Sequence, residues 1–93
     1  MTLKYLPWGD DVTFDWDEYN ENEIWKHGVR DFEVEECFEN EYFVIPHPKW
    51  KSEPKKYEHR YVIKGSTHGG RKLLIIVQHI GGNFLRVVTV WDN

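Results

Sequence analysis

The sequence predicts an α+β domain, with two N-terminal helices packed on one face of an antiparallel meander sheet. Three observations carry this. Residues 17–39 hold apolar side chains at helical spacing among acids. From Tyr42 onward the apolar residues come in short runs separated by glycine, proline, serine and asparagine. A brief alternating stretch precedes the first helix. At 93 residues the chain can build one core and has no room for a second, so residues 1–93 are read as a single domain.

The elements follow in order. Residues 1–11 contain proline, glycine and two aspartates and read as a loose lead-in that Trp8 tacks onto the core. Val12, Phe14 and Trp16 alternate with Thr13 and Asp15, the pattern of a short half-buried strand. Asp17 is placed to cap the first helix, with Glu18 and Glu21 at the positive end of its dipole. That helix runs through Lys26 and His27 to Gly28, a natural left-handed stop. A second helix is expected from Arg30 to Glu39, with Val34, Cys37 and Phe38 as its apolar stripe. Asn40 ends it, and Tyr42–Ile45 forms a strand stopped by Pro46.

Residues 46–57, with three prolines, four lysines, a tryptophan and a tyrosine, read as a long loop, a kind of segment that often carries function. A strand from His59 to Lys64 should put Arg60 and Val62 on one face and His59, Tyr61 and Ile63 on the other. A turn-rich hairpin over 65–70 follows, then the continuous apolar run Leu73–Val77, expected to be the central strand buried on both faces. Gly81, Gly82 and Asn83 turn the chain into a last strand from Phe84 to Trp91.

Composition bounds the function. The 16% aromatic content helps a small domain bury enough area. A lone cysteine, Cys37, cannot form an internal disulfide; it reads as a small core residue and fits a reducing, cytoplasmic setting. No apolar run approaches the length of a membrane span, and the first residues lack the form of a signal peptide. The net charge of −4 is divided unevenly: residues 1–45 hold 13 acids against three bases, and residues 46–93 hold three acids against nine bases. Such a split suits a molecule with one face for a polyanion and another for a basic partner, or simply two differently solvated surfaces.

The segment Trp16-Asp17-Glu18-Tyr19-Asn20, with Ile24, Lys26, His27, Gly28 and Val29 after it, resembles the BrnT family, the toxin half of a bacterial type II toxin–antitoxin pair. A branch of that family reads W-D-E-W-N, two variable positions, a residue often histidine, and then I-x-K/R-H-G-V. Downstream, Arg60-Tyr61, Gly65, Thr67 and Gly70-Arg71 match its hairpin, and Arg86-Val87 and Thr89 match its closing strand. The resemblance spans residues 12–92. It implies a RelE-like ribonuclease fold, an endoribonuclease acting on messenger RNA, and neutralisation by an antitoxin that is usually a small DNA-binding protein. Glu23, Ser66 and Trp91 depart from it, standing where the family often has histidine, usually has arginine and has arginine, respectively. These departures frame the alternative, a non-catalytic RNA- or protein-binding module on the same fold.

Metal-free cleavage of RNA by its 2′-hydroxyl needs a base, an acid and fixed cations around the phosphate. His27, at a helix C-terminus, is the candidate for proton transfer; a capping histidine is the other reading. Arg60, Arg71 and Arg86 are the candidate phosphate cations, because forked, permanently charged donors suit a phosphate that gains charge during reaction. Parity leaves open whether the three share a face. Lys26 and the loop residues Lys49, Trp50, Lys51, Lys55 and Lys56 mix cations with an aromatic ring, as RNA backbone neutralisation and base stacking both use. Glu33 and Glu36 on the second helix offer a surface for a basic partner. The five histidines show no metal-ligand spacing, and there is no glycine-rich phosphate loop, so neither metal nor cofactor is expected.

Overall fold

The computed structural model describes residues 6–93, so residues 1–5 of the expected lead-in lie outside the described residues. The elements are β1 (Thr13–Phe14), α1 (Glu18–Trp25), α2 (Asp31–Glu39), β2 (Phe43–Pro46), α3 (Pro54–Tyr57), β3 (Arg60–Ser66), β4 (Lys72–Gly81) and β5 (Phe84–Asp92). The α+β class holds. Strands β2 to β5 form the expected antiparallel meander, with β4 central in the order β1-β5-β4-β3-β2. The sheet is nevertheless mixed rather than antiparallel, because β1 runs parallel to β5 through Thr13–Phe84 and Phe14–Leu85. Three helices and three strands separate the pair in sequence, so no tight turn forces them to oppose.

The first strand is shorter than its alternation suggests. Exposure does alternate from Val12 to Trp16. Pairing ends when the Asp15 amide donates to the Leu85 carbonyl, after which Asp17 turns the chain into α1. Asp17 caps as expected: its carboxylate accepts from the Asn20 amide at 3.0 Å, and its own amide donates to Asn20 Oδ1 at 2.8 Å. Asn20 also donates to the Asp15 carbonyl, so this buried amide is satisfied. The helix closes two residues before His27. Gly28 takes φ +71°, the Gly28 amide bonds the Trp25 carbonyl, and the Val29 amide reaches the Ile24 carbonyl, as in a Schellman motif. Ile24 and Val29 are both fully buried beneath it.

One core holds the layers together: Ile24, Val29, Val34 and Cys37 meet Val44, Ile63, Leu73, Ile75, Val77, Leu85, Val87 and Val90. Cys37 is a core residue, its thiol pushed up to about 11 by burial. Its helix approaches β3 so closely that a Cβ on Gly65 would stand 2.8 Å from the Cys37 Cβ. Trp8 does tack the lead-in down; it is buried edge-on against Tyr61 at 5.2 Å. The run at 73–77 behaves nearly as expected. Leu73, Ile75 and Val77 face the helices, Ile76 is buried on the opposite face, and Leu74 is half exposed.

The 46–57 loop is less irregular than its composition implies. Pro54 starts a single helical turn, α3, which packs Tyr57 against the sheet beside β3. The helical pair also divides its work: α2 covers β3 and β4, whereas α1 lies along β5 where β1 leaves that strand unpaired. Among the described residues no helix is long and apolar enough to cross a membrane.

Candidate active site

Register decides which charged residues meet. Arg60 pairs with Gln78 across β3 and β4, and Gln78 pairs with Arg86 across β4 and β5. The three therefore form a row on the sheet face away from α2, with the two arginine backbones about 10 Å apart. Arg60 Nε donates to Gln78 Oε1 at 3.4 Å. Arg71 does not join them. It precedes Lys72 and, by strand parity, sits on the helix side with Leu73 and Ile75.

The irregular register between Ile76 and Val77 then puts Thr89 opposite Ile76, on the same face as the row. Because α1 lies along β5, it sends Ile24 into the core and turns Glu23 and His27 towards Thr89. The Thr89 hydroxyl donates to Glu23 Oε2 at 3.0 Å, and His27 Nε2 lies 3.4 Å from the same oxygen and 3.5 Å from Thr89 Oγ1. Lys26 Nζ is 3.6 Å from the other Glu23 oxygen. The Thr89 hydrogen bond, then the Lys26 and His27 contacts, hold the Glu23 carboxyl below its usual range. Glu23, Tyr19, Arg60, Gln78, Arg86 and Thr89 line one open concavity of about 490 Å³, and His27 contacts two of these, Glu23 and Thr89. Trp91 stands beside His27, with ring centroids 6.5 Å apart.

The arginines differ in what surrounds them. Arg86 donates to Asp17 Oδ2 at 2.7 Å and to Asp15 Oδ2 at 3.2 Å. Arg71 bonds Asp92 at 2.8 Å, Glu33 at 3.2 Å and the Gly28 carbonyl at 2.9 Å. It is a clamp joining the end of α1, the start of α2 and the end of β5, rather than a member of the phosphate row. Arg60 forms no ion pair among the described residues; its guanidinium lies 5.6 Å from the Tyr57 ring centroid.

Lys49 and Lys56 approach the same ring at 5.9 and 5.3 Å, and His47 stacks on it at 4.3 Å. Burial, then Arg60 and Lys49, push the His47 pKa down. Lys51 and Lys55 are exposed on the same loop, and Lys51 approaches the Trp50 ring at 6.0 Å. The basic loop is thus continuous with the Arg60 end of the row. Lys26 lies at the His27 end.

The acidic helix is less available than its composition suggests. Glu33 is three-quarters buried or more, receives Arg71, and accepts the Arg30 amide at 3.0 Å. Glu36 accepts the His68 amide at 3.0 Å. Both carboxylates offered above as a partner surface are engaged within the fold. Among the described residues no group of three or more His, Cys, Asp or Glu side chains is placed to hold a metal ion.

Sequence reasoning gave no role in the site to Tyr19, Gln78, Thr89 or the Asp15–Asp17 pair. The i, i+4 spacing of Glu23 and His27 was a usable signal, since such residues share a helix face. Gln78 carried none, because cross-strand partners depend on turns and bulges. The chain matches no protein-family model and no curated protein.

Proposed function

We propose that this protein is a metal-independent endoribonuclease of the BrnT type, cleaving messenger RNA in the cytoplasm and neutralised by a small DNA-binding antitoxin. The observation that carries the reading is that Arg60, Gln78, Arg86 and Glu23 line one concavity, with His27 in contact with Glu23 at 3.4 Å. Cations that hold a phosphate and groups that move protons are what 2′-hydroxyl attack requires in one place. The lysines of the 49–56 loop, which form no ion pair among the described residues, lead into the same face and give a single strand a track to follow. The motif resemblance over residues 12–92 supplies the RelE-like relationship and the antitoxin.

A second reading draws on a specific observation. Arg86 is already held by two carboxylates, and Ser66 and Trp91 stand where the resemblance expects arginines. A module that binds RNA through Arg60 and the basic loop without cutting it fits that arrangement. Purified protein incubated with a long unstructured RNA in EDTA separates the two. Fragments from the parent, lost in His27→Ala and in Arg60→Ala, support the nuclease. Intact RNA retained in a salt-dependent way supports the binding module, and fragments persisting in both variants overturn this site.

A further inference from the structure

We infer that Glu23 is the general base of the cleavage step and that Thr89 positions it. This rests on the ribonuclease reading and adds a residue to its machinery. A carboxylate that merely decorated a helix would need only its neighbours one turn away. Glu23 is instead bonded by a hydroxyl from another element, Thr89 of β5, and lines the concavity that Arg60, Gln78 and Arg86 share. Its side chain is mostly buried, held below the usual carboxylate range by the Thr89 hydrogen bond, and lies 3.6 Å from Lys26 Nζ and 3.4 Å from His27 Nε2. It can accept a proton there without a metal.

The step balances with the groups at hand. Glu23 takes the proton of the 2′-hydroxyl as the 2′-oxygen forms a bond to phosphorus. The bond from phosphorus to the 5′-oxygen breaks, and that oxygen takes a proton from protonated His27. The products are a 2′,3′-cyclic phosphate and a free 5′-hydroxyl. Once the product has left and the 3.4 Å contact has re-formed, the proton on Glu23 passes to His27, and both groups return to their starting states. Substrate phosphate enters between the two side chains, and the Thr89 hydrogen bond keeps Glu23 in place while the His27 contact opens.

The test is single-turnover cleavage of a long unstructured RNA in EDTA by the parent, Glu23→Gln and Thr89→Val, with RNA retention and thermal melting measured on each. Glutamine still accepts the Thr89 hydrogen bond but cannot take the proton. The expected result is a loss of about 100-fold or more in Glu23→Gln and a smaller loss in Thr89→Val, with retention and melting unchanged. Cyclic phosphate ends on the parent's products agree with the scheme, and 3′-hydroxyl ends overturn it. A parent that cleaves and a Glu23→Gln variant that cleaves nearly as fast overturn the role of Glu23 alone. Joint loss of cleavage and RNA retention means Glu23 shapes the binding face, which also overturns it. A parent that retains RNA without cutting it removes the nuclease reading and this inference with it.

Discussion

Arg71 and Arg86 are cationic like the cluster formed by Lys49, Lys56 and Arg60, yet the two groups face opposite surroundings. Each of the first two is held by a pair of carboxylates. Together they pin both ends of α1: Arg86 grips its capping Asp17, and Arg71 grips the Gly28 carbonyl beyond its last turn. The second group crowds around one tyrosine ring and has no ion pair among the described residues. The basic half of the chain is therefore spent in two ways. Its outlying arginines reach back to Asp15, Asp17 and Glu33 of the acidic half, which fixes the helix that carries Glu23 and the turn after it that carries His27. Its loop lysines and Arg60 form no ion pair among the described residues, which is where a polyanion finds unscreened charge. Identity as an arginine says nothing about which role applies; neighbours decide it.

Several changes would break or sharpen that contrast. The largest effect is expected at Arg71. Arg71→Ala leaves the mostly buried Glu33 and the Gly28 carbonyl without their donor, and should lower unfolding free energy by about 2 kcal/mol in urea titrations. RNA retention should survive, and a selective loss of retention with stability intact would move Arg71 into the binding group. Next comes the triple change Lys49→Ala, Lys56→Ala and Arg60→Ala. Stability should hold, while the slope of log affinity for single-stranded RNA against log salt should flatten by about 2, as three phosphate contacts disappear. An unchanged slope would mean the uncompensated cluster is not where RNA sits.

A smaller signature should appear in acid. Contacts from the Asn20 amide and Arg86 hold Asp17 below its ordinary value of 3.8, and Arg71 does the same for Asp92. A carboxyl depressed in the folded state stabilises the fold above that ordinary value and loses the contribution as pH falls below it. Melting temperature should fall through this range in the parent, and less steeply in Arg86→Ala; parallel curves would show that Arg86 does not couple to Asp17. The smallest effect is expected for Asp15→Asn. Its exposed ion pair with Arg86 contributes less than about 1 kcal/mol, so stability should barely move. Retention of RNA should rise as Arg86 is partly freed, and no rise would confine Arg86 to its clamping role.

Local signals were legible in the chain and long-range ones were not. Asp17 as a cap, Gly28 as a left-handed stop, the strand faces of Arg60 and Tyr61, and Cys37 in the core all follow from spacing and residue type. The helical turn within residues 54–57 was hidden because proline and lysine suggest a connector, although proline is well suited to start a helix. The parallel pairing of β1 with β5 was hidden for a different reason. It joins residues about seventy positions apart, and nothing local in Thr13 or Phe14 specifies a partner.

For the candidate site the division is the same. The sequence by itself determined that His27 stands at the C-terminal end of an acidic helical segment, that Glu23 lies one turn before it, and that a basic aromatic loop exists. These depend on periodicity and capping, which act over a few residues. Only the tertiary structure decided that Arg60 and Arg86 share a face while Arg71 lies on the other, that Glu33 is occupied, and that Thr89 meets Glu23. Side chains on a strand alternate with a period of two, so a single irregularity such as that at Ile76–Val77 re-aims everything beyond it. Such an irregularity arises from packing between strands, and no residue type announces it in advance.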